Sequence, residues 1–244
     1  MQSYTQIKQS LKKLRLSTIH ENIETRTEEA INDQTSYIDY LLSLLQDEID
    51  NRNHKRKELL VKKAQLGHFK HLLDYDFSRI PGLNKQRILD LSHCHFIEKK
   101  ENIVFVGPTG TGKTFLAKAL AYEACCRNYK ALFSRTAKML EAIYAGKADG
   151  TYTKRIDSFI KPDLLILDDW GMTAFSNEFL NILNEIISER YENGSIIITT
   201  NRKIENWDEL FDEPVISSAL LDRLFHNSHL IEVDGPSYRR RLNL

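Results

Sequence analysis

The chain has 244 residues, 41% hydrophobic and 28% charged, and its 34 basic residues balance 34 acidic ones. This is the composition of an ordinary soluble protein with one sizeable core and room for a smaller appendage, and it excludes polyanion binding by bulk charge alone. No apolar run approaches the roughly 20 residues that span a bilayer, and Met1-Gln-Ser-Tyr-Thr lacks a signal-peptide core, so a cytoplasmic protein without membrane contact is expected.

The first ~70 residues read as helical. Ile7, Leu11 and Leu14 recur at helical spacing, with Lys8, Lys12, Lys13 and Arg15 on other faces. A second pattern runs through Tyr37, Tyr40, Leu41, Leu44, Leu45, Glu48 and Ile49, with Thr35 or Ser36 placed to cap it. It continues toward Leu66, where Gly67 is a plausible stop. Between Asn51 and Lys70 lies a basic block of Arg52, Lys55, Arg56, Lys57, Lys62, Lys63 and Lys70, against one acid, Glu58. A local basic block in a neutral chain is a candidate nucleic-acid contact. Arg52, Lys55, Arg56, Lys57, Lys62 and Lys63 are its candidate DNA-binding residues.

Ile80-Pro-Gly-Leu83 marks a turn and a junction, and 85–91 suits a short helix. His93-Cys94-His95 lacks further ligands at a metal-site spacing and reads as structural. Cys94 stands alone and Cys125-Cys126 are adjacent, so no disulfide framework is indicated. From Ile103 onward strands and helices alternate. Apolar strand-like runs occur at 103–106, 131–134, 164–167, 195–199 and 230–233, and helical segments at 114–128, 137–145 and 178–192. Alternation of this kind predicts an α/β fold with a parallel sheet covered on both faces. The expected organisation is a helical domain over 1–67, a connector over 68–100 and a nucleotide-binding domain over 101–244.

Gly107-Pro-Thr-Gly-Thr-Gly-Lys113-Thr114 matches the phosphate-loop pattern GxxxxGK[ST] in full, between a strand-like and a helix-like run. Glycines at 107, 110 and 112 let the backbone approach phosphates, and exposed amides at the helix start hold oxyanions. Lys113 supplies a charge to the β- and γ-phosphates and Thr114 a hydroxyl to Mg2+. Gly107, Pro108, Thr109, Gly110, Thr111, Gly112, Lys113 and Thr114, with Phe115 beside them, are the candidate nucleotide-binding residues. A Gly-rich turn before a helix would leave Lys-Thr unexplained.

The apolar run 164–167 ends in Asp168 and Asp169. Behind a phosphate loop, Asp168 is the candidate Mg2+ ligand with Thr114, and Asp169 the group that polarises the attacking water; the alternative is a solvated acidic turn. The run 195–199 leads to Asn201, which suits either a water-positioning amide or a turn. Arg223 is either an arginine finger for a neighbouring subunit's nucleotide or a surface ion-pair partner. Arg239, Arg240 and Arg241 form a basic end.

Taken in series, these segments resemble the IstB-like transposition ATPases, a branch of the AAA+ superfamily close to bacterial replicative helicase loaders. The resemblance rests on 11–16, 77–83, Glu101-Asn102, 162–171, 187–191, Thr200-Asn-Arg202, Trp207, 219–224 and 235–239, and covers nearly the whole chain. It implies an AAA+ P-loop three-layer sheet behind a small all-helical N-terminal domain. It implies ATP and Mg2+ as cofactors, Asn201 as sensor 1, Arg223 as arginine finger and Arg239 as a sensor-2 arginine reading the γ-phosphate. The implied activity is that of an ATPase that assembles with its own copies on double-stranded DNA and helps a cognate transposase choose and use its target. A helicase loader with the same engine, an ATP-gated scaffold with little hydrolysis and, more distantly, a small-molecule kinase are the alternatives. One residue departs from the pattern: AAA+ proteins usually carry Glu where this chain has Asp169. The shorter arm predicts slow hydrolysis, made faster by DNA or the partner.

Overall fold

A computed structural model describes residues 2–69 and 71–238. They fall into two compact units, one ending at Leu59 and the other starting at Leu60.

The first unit is helical: α1 (Gln2–Lys13), α2 (Ser17–Asn32) and most of α3 (Tyr37–Lys63). Ser36 caps α3, its Oγ accepting the Asp39 N–H at 3.2 Å. Ile19, Ile23 and Leu44 form a small core, with Tyr4, Leu11, Leu16 and Tyr40 against it. A core this small is supplemented by polar clasps. Glu48, buried on α3, accepts the Thr18 and Ile19 amides at 2.7 and 3.3 Å, which satisfies the open N-terminus of α2. Arg26 holds Asp47 through two nitrogens at 2.8 and 2.7 Å.

The second unit begins with the end of α3 and continues through α4 (Lys85–Ser92) and α5 (His95–Glu98) into the sheet. In chain order follow β1 (Asn102–Val106), α6 (Lys113–Cys126), β2 (Ala131–Arg135), α7 (Thr136–Ala145), α8 (Tyr152–Ile160), β3 (Leu164–Asp168), α9 (Asn177–Arg190), β4 (Ser195–Thr200), α10 (Pro214–Phe225) and β5 (Ser228–Glu232). The five strands are parallel, in the order β2-β3-β4-β1-β5.

The strand sequences are apolar at consecutive positions because both faces are covered. Ile103, Phe105, Ile166 and Ile197 point to a layer built by α6, α4 and α5. Val104, Leu165, Leu167, Ile196 and Ile198 point to the other layer, built by α7, α9 and α10. The segment expected as a connector adds Leu72, Tyr75, Ile80 and Leu83 to the first core.

Some elements differ from the sequence expectation. β5 starts at Ser228, two residues before its apolar run, and ends at Glu232. An edge strand pairs on one side only, so polar Ser228 and His229 are tolerated opposite Asn102 and Ile103. Helices α2, α5, α8 and α10 lack a separate prediction. In α10 Pro214 occupies the first turn, where its missing N–H costs nothing.

Candidate nucleotide-binding site

The order β3-β4-β1 sets three neighbouring strand ends side by side. β1 delivers the loop that starts at Gly107, β3 delivers Asp168 and Asp169, and β4 delivers Asn201. Ligands in open parallel sheets bind at this carboxyl edge. A cleft of about 760 Å³ lies there, and its wall includes Thr109, Gly110, Gly112, Lys113, Thr114, Phe115, Asp168, Asp169 and Asn201.

The loop is held open by its surroundings. Gly112 has φ +95°, and a Cβ there would lie 2.6 Å from the Tyr75 ring. Gly110 has φ +89°, and a Cβ would lie 2.2 Å from Ser237 Oγ. Both positions therefore require glycine. Thr111 is buried; its hydroxyl donates to Pro108 O at 3.0 Å, and its carbonyl accepts from the Tyr75 hydroxyl at 3.0 Å. Lys113 is buried and folded back on the loop, with Nζ 2.7 Å from both Gly107 O and Pro108 O. Gly107 and Pro108 line a second recess, whose wall shares Thr109 and Asn201 with the cleft.

Asp168 is 3% exposed at the end of β3. Its Oδ1 accepts the Thr114 hydroxyl at 2.7 Å and the Thr199 hydroxyl at 2.6 Å. Thr199 Oγ1 also accepts the Asp169 N–H at 3.1 Å, which ties the two acids to β4. Asp169 turns into the left-handed region, φ +58°, and its carboxylate stays exposed, 3.9 Å from Arg135 Nε. Aspartate is among the side chains best suited to that region. A hydroxyl against a carboxylate is an all-oxygen donor pair of the kind Mg2+ accepts beside a substrate's phosphates.

Residues not singled out from the sequence complete the cleft. Tyr75, Asp76 and Tyr238 stand beside the loop. Tyr238 donates its N–H to Gly110 O at 2.8 Å and its hydroxyl to Asp76 O, and Arg79 lies over its ring. Burial pushes the Tyr75 hydroxyl well above its ordinary value, so it remains a donor. Lys118, one turn after Thr114, lies over Phe133 at 4.4 Å; burial pulls its ammonium below its ordinary value, opposed by Asp168. Thr199 and Lys118 carry no motif of their own. Only the strand register and the helical repeat bring them to the cleft.

Arg223 is elsewhere. It sits on α10, donating to Ser188 Oγ at 2.7 Å and Asn184 Oδ1 at 3.3 Å on α9. The next carbonyl, of Leu224, accepts from Asn102, the first residue of β1. Arg223 is thus at the amino edge of the sheet, a strand length of about 17 Å from its own phosphate loop. Of the basic block, Arg52 is bound to Glu48 and to the Arg15 carbonyl at 2.8 and 2.7 Å. Lys55 and Arg56 are exposed and Lys57 half-buried in the first unit, while Lys62 and Lys63 are exposed on the last turn of α3 in the second. Arg239 and Lys70 lie outside the described residues.

Comparison with known proteins shows the family to which the chain belongs. Residues 9–244 match the family of IstB-like ATP binding proteins. The chain is 33% identical to a protein of Bacillus thuringiensis subsp. berliner named for ATP binding and insertion sequence IS232, covering 97% of this chain and 95% of that one. A similarly named protein of insertion sequence IS5376 from Geobacillus stearothermophilus is 33% identical over 94% and 91% of the two chains. The fold is shared with DnaI (TM-score 0.57, 23% identity, 66% of this chain and 89% of that one). It is shared also with AMPPCP-bound DnaA from Aquifex aeolicus (TM-score 0.57, 20% identity, 69% and 51%). The chain belongs to the IstB-like family of ATP-binding proteins.

Proposed function

We propose that the protein is a cytoplasmic, DNA-dependent ATPase that acts as a transposition helper, selecting and preparing target DNA and stimulating its transposase. The observation that carries the reading is the convergence of Thr114, Thr199 and Asp168 beside the phosphate loop. The insertion-sequence names of its relatives support a transposase as the client.

In this reading the loop amides and Lys113 hold the ATP phosphates. Lys113 exchanges its two loop carbonyls for phosphate oxygens. Thr114 and Asp168 hold Mg2+, which neutralises charge on the phosphates when bound. Asp169 orients water and Asn201 senses the γ-phosphate from β4. Arg239 is assigned to the same γ-phosphate. Tyr75, Asp76 and Tyr238 flank the remainder of the nucleotide.

Arg223 lies at the amino edge of the sheet, a strand away from its own loop, and is assigned to the nucleotide of the next copy. A contact from the amino edge of one sheet to the carboxyl edge of another is head-to-tail and builds a ring or a filament. Double-stranded DNA is met by phosphate contacts from Lys55, Arg56 and Lys57 in the helical domain, with Lys62 and Lys63 following and Arg52 partly committed to Glu48. Such binding is salt-sensitive and largely independent of sequence.

The test is retention of duplex DNA with and without ATP over a salt series. Changing Lys55, Arg56 and Lys57 to Gln should weaken binding and flatten the salt slope by about 3. An unchanged slope would place the DNA surface elsewhere. ATP turnover that responds to a helicase and not to DNA would replace the transposase as client.

A further inference from the structure

A recess of about 260 Å³ opens at the amino edge of the sheet, among Lys99, Lys100, Asn102, Arg223 and Asn227. Its charge is unusual. Among the described residues, Lys99, Lys100 and Arg223 have no carboxylate within ion-pair distance, and Arg223 is steadied only by two neutral oxygens. Glu192 is the one acid on the wall. Arg190 also lines it but is turned inward on backbone carbonyls. Three cations around one concavity, with one acid on its wall and no ion pair among them, leave a net positive charge that favours entry of an anion. A recess this small suits a short phosphate chain better than the convex side of a duplex.

We propose that Lys99, Lys100 and Arg223 form one phosphate-receiving site, and that its ligand is the nucleotide polyphosphate held by a second copy of this chain. The proposal rests on the head-to-tail reading of Arg223 and adds two residues to it. β1 separates the recess from the chain's own loop, so its own nucleotide is out of reach. The lysines lie just before β1 and Arg223 on α10, so the two elements close on the incoming phosphates from different sides. The lysines act by binding and charge, placed beside the arginine.

The experiment uses mixed subunits of the full chain. Lys113→Ala lacks a working loop but keeps an intact edge; the double variant K99Q/K100Q keeps the loop and lacks the edge charge. ATP turnover and release of a fluorescent ATP analogue are read on duplex DNA for each variant and for an equal mixture. K99Q/K100Q alone should turn over ATP about tenfold more slowly than the parent and release the analogue faster. The mixture with Lys113→Ala should recover both, and K99R/K100R should retain them. Arg223→Ala is mixed with Lys113→Ala in parallel. Parental turnover and release in K99Q/K100Q would overturn the proposal while leaving Arg223 untouched. A deficit that the mixture does not restore, where Arg223→Ala is restored, would place the lysines in their own subunit and overturn it too. Failure of the Arg223→Ala mixture to recover would overturn the head-to-tail reading itself. Loss of DNA retention without ATP, again unrestored, would make the edge a DNA contact. Single variants K99Q and K100Q, checked by thermal unfolding, separate a charge effect from a folding defect.

Discussion

Thr114 and Asp168 stand 54 positions apart in the chain, yet the hydroxyl of one donates to Oδ1 of the other at 2.7 Å. One opens α6 and the other closes β3. Their meeting depends on the sheet order, which puts β4 between β3 and β1 and lets Thr199 brace the carboxylate from the side. Asp168→Asn keeps the size of the side chain and removes its charge. Binding of ATP with Mg2+ should weaken by about tenfold or more, and turnover should be lost. Titration of a fluorescent ATP analogue, with and without Mg2+, checks this; equal affinity in both variants would remove Asp168 from the metal site.

Asp169 is the chain's departure from the usual glutamate. Its exposed contact with Arg135, at 3.9 Å, contributes little to stability. Asp169→Asn should abolish turnover and leave ATP binding near the parental value. Asp169→Glu should raise basal turnover by lengthening the arm, and lower stability by about 0.5 kcal/mol because glutamate fits the left-handed backbone less well. Steady-state hydrolysis without DNA measures the first effect and urea unfolding the second. Slower turnover in the glutamate variant would mean that reach does not limit the reaction.

How far the sequence shows this site depends on the residue. The loop, Asp168 and Asp169 are legible because each is a short motif fixed by local backbone geometry after an apolar strand. Thr199 is not, since a threonine at a strand end is ordinary and its role comes from the β3–β4 neighbourhood. Tyr75 and Tyr238 are hidden because they reach the loop from opposite ends of the second unit. The α/β alternation is plain from apolar runs, while the amphipathic α8 and edge strand β5 are diluted by polar residues. Arg52 reads as one more cation of a basic block, but the fold also uses it to hold Glu48.

Arg190 shows another role that charge alone does not reveal. It is 1% exposed, and its guanidinium reaches the carbonyls of Phe159, Ile160, Pro162, Asp163 and Ser195, which gather the starts of β3 and β4. Burial pulls its pKa down to about 10, so it stays cationic at neutral pH. Arg190→Met should cost about 3 kcal/mol or more by leaving these carbonyls without a donor. Lysine should recover only part, lacking the planar fork. Urea unfolding decides; a loss below about 1 kcal/mol would mean that water replaces the guanidinium.

The helical unit should be acid-sensitive through Glu48 and Asp47. Burial pushes the Glu48 carboxyl up, but the Thr18 amide, Arg52 and the Ile19 amide together bring it below its ordinary value. The Arg26 hydrogen bonds likewise lower Asp47. A carboxyl lowered on folding stabilises above its unfolded pKa, and that stabilisation is lost as pH falls through the folded value. Stability should therefore decline below about pH 4.5. Glu48→Gln should flatten the decline while lowering stability at neutral pH. Circular dichroism of the full chain across pH 3–7 checks it, and an unchanged acid slope would exclude Glu48 as its source.

In the proposed function ATP joins copies of this chain on DNA, with Arg223 of one copy serving the nucleotide of the next. Sedimentation on duplex DNA, with hydrolysis recorded in the same samples, tests it most directly. Assembly should require both ATP and DNA, and Lys113→Ala and Arg223→Ala should each abolish it. Assembly that ignores ATP, or an Arg223→Ala protein that assembles and hydrolyses like its parent, would contradict the account.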